Sequence, residues 1–221
     1  MAWGIAKLLD FIADADLKAQ ISSLPTPPKT GWEMIKLGGI CSVTSGGTPS
    51  RTKPEYWGGN INWIKSEVCQ NSYVLENQVT EKITQLGLEK SSAKILNKNS
   101  VLIALVGATI GKVGYLTFQS TTNQNIAGLY PLNEKTLNSK FLYFASQGLY
   151  SQFKSLGGFA MANLTFIRNL QIPLPPLKDQ EKIVSVIENL ENKIEKFKSD
   201  LNALASKNQE ILQKYLFSQN A

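Results

Sequence analysis

The sequence predicts an α+β protein: a mixed α/β domain followed by a long coiled-coil helix. Three observations carry this. Between residues 34 and 132, short apolar runs alternate with turn-forming glycine, asparagine and proline, the pattern of strands. From about 139 to 156 the apolar residues recur at helical spacing. Beyond 179 they recur at alternating intervals of four and three, as in a coiled-coil seam. The domain boundaries that follow are 1–29 (a helix and a Pro-rich linker), 30–178 (the mixed domain) and 179–221 (the long helix).

At the amino end, Ile5, Leu8, Leu9 and Ile12 share one helical face. So short a helix is unstable alone, and its stripe needs a partner. LPTPPKTG (24–31) reads as a linker, because its clustered prolines forbid a helix. Strands are expected at MIKL (34–37), NINWIK (60–65), VLIALV (101–106), VGYLTF (113–118) and IAGLYPL (126–132). In the helix at 139–156, Ser139 is the expected N-cap, Phe141, Ala145, Leu149 and Phe153 recur, and Gly157-Gly158 ends it. IPLPPL (172–177) is expected to stop regular structure.

The tail is the most regular feature. Asp179 is placed to cap it. Its seam is Ile183, Ile187, Leu190, Ile194, Phe197, Leu201, Leu204, Asn208, Ile211 and Tyr215, apolar at all positions but Asn208. A seam so sustained argues for a coiled coil; an amphipathic helix lying on its own domain would show a wider stripe.

Composition removes whole classes of chemistry. The chain of 221 residues has no histidine, so the commonest general base and most zinc sites are absent. Aspartate occurs only at 10, 14, 16, 179 and 200, and the seven glutamates between 30 and 178 form no catalytic spacing. Neither a catalytic site nor a metal site nor a cofactor is assigned. Cys41 and Cys69 do not form a spaced pair, no apolar run approaches a membrane span, and the acidic start does not resemble a signal peptide. A reducing cytoplasm is the expected compartment. Residues 30–178 hold 14 Lys/Arg against 7 Glu, while the two flanking segments are nearly balanced. A basic body with neutral ends fits a polyanionic partner, and equally a merely soluble basic protein.

VGATIGKVG (106–114) invites reading as a phosphate-binding loop. Gly111 and Lys112 are in place, but Gly107 stands one residue too close and Val113 replaces the hydroxyl that would hold Mg²⁺. A tight turn between two strands, with glycines supplying positive φ, accounts for it better.

Three stretches in order resemble one family. SGGTPSRTKPEYWGGNINWIKSEV (45–68) looks like the opening of a target-recognition domain from the specificity subunits of type I restriction–modification enzymes. NKNSVLIALVGATIGKVGYLTFQSTTNQNIAGLYP (97–131) is similar to the domain's centre, and IPLPPLKDQEKIV (172–184) to its join with a conserved spacer helix. WEMIKLGGI (32–40) fits as well, so the likeness covers about 30 to 217. In GGFAMANLTFIRNL (157–170) the family often has a glutamine-bearing loop; Met161-Ala162 departs from it, which leaves Asn163 and Arg168 outside the assigned contacts.

The resemblance implies a non-catalytic subunit that binds double-stranded DNA. It would serve a separate DNA methyltransferase (modification) subunit and, through the complex, a restriction/translocase subunit. No methylase [DN]-P-P-[FYW] motif occurs in the chain. Thr48, Ser50, Arg51, Thr52 and Lys53 form a polar, basic loop suited to phosphates and base edges. Thr109 and Lys112 lie on the GATIGK turn, with Lys112 as a phosphate contact. Thr122, Asn123, Gln124 and Asn125, following Thr121, are candidate base readers, since Asn and Gln can bind adenine bidentately. An ordinary polar loop is the plain alternative. Tyr56, Trp57 and Trp63 read as core.

Family members typically carry two recognition domains and two spacer helices, and this chain shows one of each. A homodimer through the tail is therefore expected, antiparallel by the resemblance, although Asn208 at an a position would suit a parallel pair. A helix from 180 to about 217 spans roughly 57 Å at about 1.5 Å per residue. Two domains so held would read a bipartite palindrome. The other reading is a coiled-coil adaptor whose basic domain binds an acidic protein or RNA.

Overall fold

The computed structural model describes residues 14–154 and 162–217. In chain order these form α1 (Ala15–Ser22), β1 (Met34–Lys36), α2 (Leu37–Ile40), β2 (Cys41–Ser45), β3 (Trp57–Ile64), β4 (Ser72–Val74), β5 (Glu81–Ile83) and α3 (Gln85–Glu89). Then follow β6 (Val101–Ala104), β7 (Val113–Leu116), β8 (Thr121–Thr122), β9 (Ile126–Pro131), α4 (Ser139–Gln147), α5 (Tyr150–Lys154), α6 (Leu164–Asn169), β10 (Gln171–Pro173) and α7 (Leu177–Leu212). They group into two units: Thr26–Glu181, and residues up to Pro25 together with those from Lys182 onward. The α+β prediction holds: a mixed domain precedes one long helix.

The strands of the first unit make three small sheets. A five-stranded sheet has the order β2-β9-β6-β7-β4, a three-stranded one β5-β3-β8, and β1 pairs with β10. Every residue of β6 and β7 is buried. A strand inside a sheet and covered on both faces needs apolar residues throughout, which is why VLIA and VGYL read as continuous runs. One cluster on the large sheet joins Ile64, Cys69, Val74, Leu96, Leu102, Ala104, Leu116 and Ile126. A second joins Trp63, Ile83 and Ala93, with Trp57, Ile61 and Leu88 packed against it.

Several boundaries differ from expectation, each for a local reason. The helix expected at 139–156 is two helices: α4 ends at Gln147 with Gly148 as its C-cap, and α5 begins at Tyr150. Its N-cap is Asn138, not Ser139: Asn138 is extended, and its carboxamide oxygen accepts from the backbone N–H groups of Lys140 and Phe141 at 2.9 and 3.0 Å. Gly157-Gly158 lies outside the described residues. IPLPPL does not simply stop regular structure. Gln171–Pro173 pairs antiparallel with β1 in a two-stranded sheet, an edge position that proline tolerates. Asp179 falls within the first turn of α7 rather than at its cap, the carbonyl of Pro176 accepting from the N–H groups of Asp179 and Gln180.

Gln180 is fully buried where this helix starts. Its Nε2 donates to the carbonyls of Thr136 and Pro175 at 2.9 and 2.8 Å, and its Oε1 accepts from the backbone N–H of Asn138 at 2.9 Å. In the smaller unit, Asp14 caps α1 and also takes Lys193 at 2.6 Å, while Asn189 donates to Gln20 at 3.1 Å. These bonds tie α1 to α7; the expected stripe of Ile5, Leu8, Leu9 and Ile12 lies outside the described residues. Along the seam, Ile183, Ile187 and Leu190 are half-buried. From Ile194 outward Phe197, Leu201, Leu204, Asn208, Ile211 and Tyr215 are exposed, Leu201 at 66%. Among the described residues no helix is long and apolar enough to cross a membrane.

Candidate functional site

The polar loop after β2 is anchored before it begins. Gly46 and Gly47 leave no room for a side chain: a Cβ on Gly46 would lie 2.0 Å from the carbonyl oxygen of Thr122, and one on Gly47 2.2 Å from Ser92 Oγ. The N–H of Gly47 donates to the Thr122 carbonyl at 2.8 Å, and its own carbonyl accepts from Trp63 Nε1 at 2.9 Å. Close approach, rather than an unusual φ, explains this glycine pair.

From that anchor the loop runs outward. Thr48 Oγ1 donates to Gln124 Oε1 at 2.7 Å, joining two segments that the sequence marked separately. Ser50 and Thr52 share a hydroxyl hydrogen bond of 2.9 Å, and the Ser50 carbonyl accepts from Trp57 Nε1 at 3.1 Å. Lys53 is exposed, 3.9 Å from Glu55.

Arg51 is not a free cation. Its guanidinium lies 3.6 Å from the centroid of the Trp57 ring and 5.1 Å from that of Trp63, and it pairs with Glu81. Glu81 takes Lys65 as well, at 2.6 Å. The hydrogen bond from Arg51, seconded by Lys65, holds the Glu81 carboxyl below the usual carboxylate range. Trp57 and Trp63 meet edge to face, 5.1 Å between centroids. Trp63 is buried as expected, whereas Trp57 is half-exposed and carries Arg51 on its face. Glu81 and Lys65 were not among the sequence candidates, and nothing local distinguishes them, since Glu81 stands 30 residues from Arg51.

The run from Thr121 to Asn125 divides by burial. Thr121 and Thr122 form β8, parallel to β3, and both are fully buried. Thr121 Oγ1 donates to the Asn62 carbonyl at 2.8 Å, while Thr122 Oγ1 has no hydrogen-bond partner among the described residues. Thr122 therefore faces the interior. Asn123 is buried as well, and its side-chain oxygen accepts from the Asn125 N–H at 3.1 Å. Gln124 is exposed and Asn125 half-exposed.

The GATIGK segment is the hairpin turn between β6 and β7. Gly107 and Gly111 have φ of +72° and +75°, and a Cβ on Gly111 would lie 2.7 Å from the Phe153 ring. Thr109 sits in the turn, its carbonyl accepting from the Lys112 N–H at 2.8 Å. Lys112 Nζ reaches Gln70 Oε1 at 3.0 Å. The turn joins the site through Leu105, whose N–H donates to the Asn125 carbonyl at 2.9 Å. Asn163 caps α6, and Arg168 donates to the Val43 carbonyl at 2.9 Å, so Arg168 has a role in holding the fold.

No group of three metal-ligating residues occurs among the described residues. Burial pushes the thiols of Cys41 and Cys69 up to about 12, which keeps both protonated at neutral pH. What the surface offers is hydrogen-bonding side chains and cations on two joined loops.

Comparison with known proteins agrees in kind. Residues 29–206 match the family described as type I restriction modification DNA specificity domain. The chain is 28% identical over 187 residues to the specificity subunit of the type I restriction enzyme MjaIX from Methanocaldococcus jannaschii, covering 83% of this chain and 41% of that one. It is 30% identical over 174 residues to the specificity subunit of the HindI enzyme from Haemophilus influenzae, covering 75% and 38%. It thus spans about two fifths of the length of these curated relatives. Among solved structures, a chain from a study of assembly and conformational transition in a type I R-M system superposes with a TM-score of 0.64 at 20% identity, covering 95% of this chain and 52% of that one. That likeness concerns the fold.

Proposed function

The chain belongs to the family of type I restriction modification DNA specificity domains, and on that premise we propose that it reads one half of a bipartite DNA target for a separate methyltransferase subunit. The observation that carries this is the junction of the two polar loops at Thr48 and Gln124. It gathers Ser50, Thr52, Lys53 and Gln124 on one exposed surface, with Asn125 and Lys112 reached through the neighbouring hairpin. Hydroxyls and amides suit base edges, and the lysines suit phosphates. The chain recognises and does not itself methylate, cut or hydrolyse. A restriction/translocase subunit would meet it only through the assembled complex.

A second copy of the chain supplies the other half-site in this reading. The exposed apolar residues of α7 from Ile194 outward support it, because so long a stripe favours burial against a like surface. Two copies related by a two-fold axis would read an interrupted palindrome. The test is selection from a random duplex library by the full chain, with its mass in solution measured in parallel. Enrichment of an interrupted palindrome by a dimer is expected. Enrichment of no sequence, or displacement of the bound duplex by RNA added as competitor, would overturn the proposal in favour of a coiled-coil adaptor.

A further inference from the structure

We infer that Glu81 is a positioning residue of the recognition surface: an acidic group that aids binding to a polyanion by holding the loop at 48–53 in its reading shape. The inference rests on the DNA reading above and goes one step past it. Two cations converge on the carboxylate. Arg51 comes from the loop, Lys65 from the residue after β3, and Glu81 itself opens β5. Arg51 is held between this carboxylate and the face of Trp57. Trp57 Nε1 in turn takes the Ser50 carbonyl, so loop, ring and carboxylate close a circuit. At the loop's other end, Gly47 is fixed by Trp63 and Thr122. Clamped at both ends, the segment between presents Thr48 and Ser50 in one arrangement, and the Ser50 hydroxyl holds that of Thr52.

Two physical effects predict opposite results. A carboxylate within about 10 Å of a phosphate backbone repels it, so its removal should tighten binding to every duplex alike. A clamp that pre-orders the reading groups saves their ordering on binding, so its removal should weaken binding to the preferred duplex above all. Arg51 adds a second opposition. A phosphate contact survives replacement by lysine, which keeps the charge. A guanidinium stacked on indole and hydrogen-bonded to a carboxylate does not.

The experiment uses the full chain, with Glu81→Gln and Arg51→Lys as variants. The probes are the duplex that the wild type enriches from a random library and a shuffled duplex of equal composition. Both variants should lose about tenfold of the wild-type preference between the two, the worth of one charged hydrogen bond. Backbone amides of 48–53 should exchange faster in both variants, with the amides of β6 and β9 unchanged as proof of folding. Tighter binding of both duplexes by Glu81→Gln, or unaltered exchange at 48–53, would overturn the inference. If the wild type enriches no sequence, the DNA reading itself falls, and amide exchange alone then decides whether the clamp exists.

Discussion

Thr48 Oγ1 and Gln124 Oε1 are 2.7 Å apart across 76 residues of chain, and that hydrogen bond makes one surface of two loops. If both side chains act in recognition, they act together. Thr48→Ala and Gln124→Ala should each cost about 1–3 kcal/mol of binding to the preferred duplex and relax one base position. The double variant should cost less than their sum by about 0.5 kcal/mol or more, because the second loss finds the pair already broken. Binding isotherms for the four proteins measure this, and strict additivity would separate the loops functionally.

Lys53 and Lys112 should behave otherwise. Either lysine changed to alanine is expected to weaken preferred and shuffled duplexes alike and to lower the salt slope by about one counterion. Titrations at several salt concentrations decide it. A change confined to the preferred duplex would make these lysines readers of bases.

Gly111 is fixed by its backbone and by its neighbour. Its φ of +75° disfavours any side chain, and a Cβ would press on the Phe153 ring at 2.7 Å. Gly111→Ala should destabilise the domain by about 1–3 kcal/mol in urea unfolding. Gly107→Ala shares the positive φ but meets open space, so the smaller loss is expected there.

Acid should undo the clamp around Glu81. Its carboxyl is lowered in the folded protein, so the stability it contributes is complete above the usual carboxylate range. That contribution fades as pH falls through this range toward the lowered folded value. Urea unfolding of wild type and Glu81→Gln should differ by about 1 kcal/mol or less at neutral pH, since the pair is partly exposed. The gap should close in acid, and a gap that widens there would contradict the assignment.

How much of this was legible in the sequence depended on burial. The strands at 101–104, 113–116 and 126–131 announce themselves because a covered strand has no polar face to show. Thr121 and Thr122 mislead for the converse reason. Two hydroxyl residues in a polar run look like surface, yet pairing with Trp63 and Ile64 takes them inside. The basic loop was visible as composition. That Arg51 would meet Glu81 and lie on Trp57 was not, because the pairing belongs to the sheet that brings β5 beside β3 and not to any local pattern. Asn138 took the cap from Ser139 by a single residue's difference in backbone angle, which spacing alone does not resolve.

The two glycines before the loop have a consequence for how such a chain can change over time. Gly46 and Gly47 touch backbone that a side chain would displace, so a larger residue at either place would strain the framework. Ser50, Thr52, Lys53 and Gln124 lie in the open, where replacement leaves the packing intact. On the reading proposed above, a descendant can exchange its preferred sequence through a handful of surface substitutions and inherit the framework unaltered.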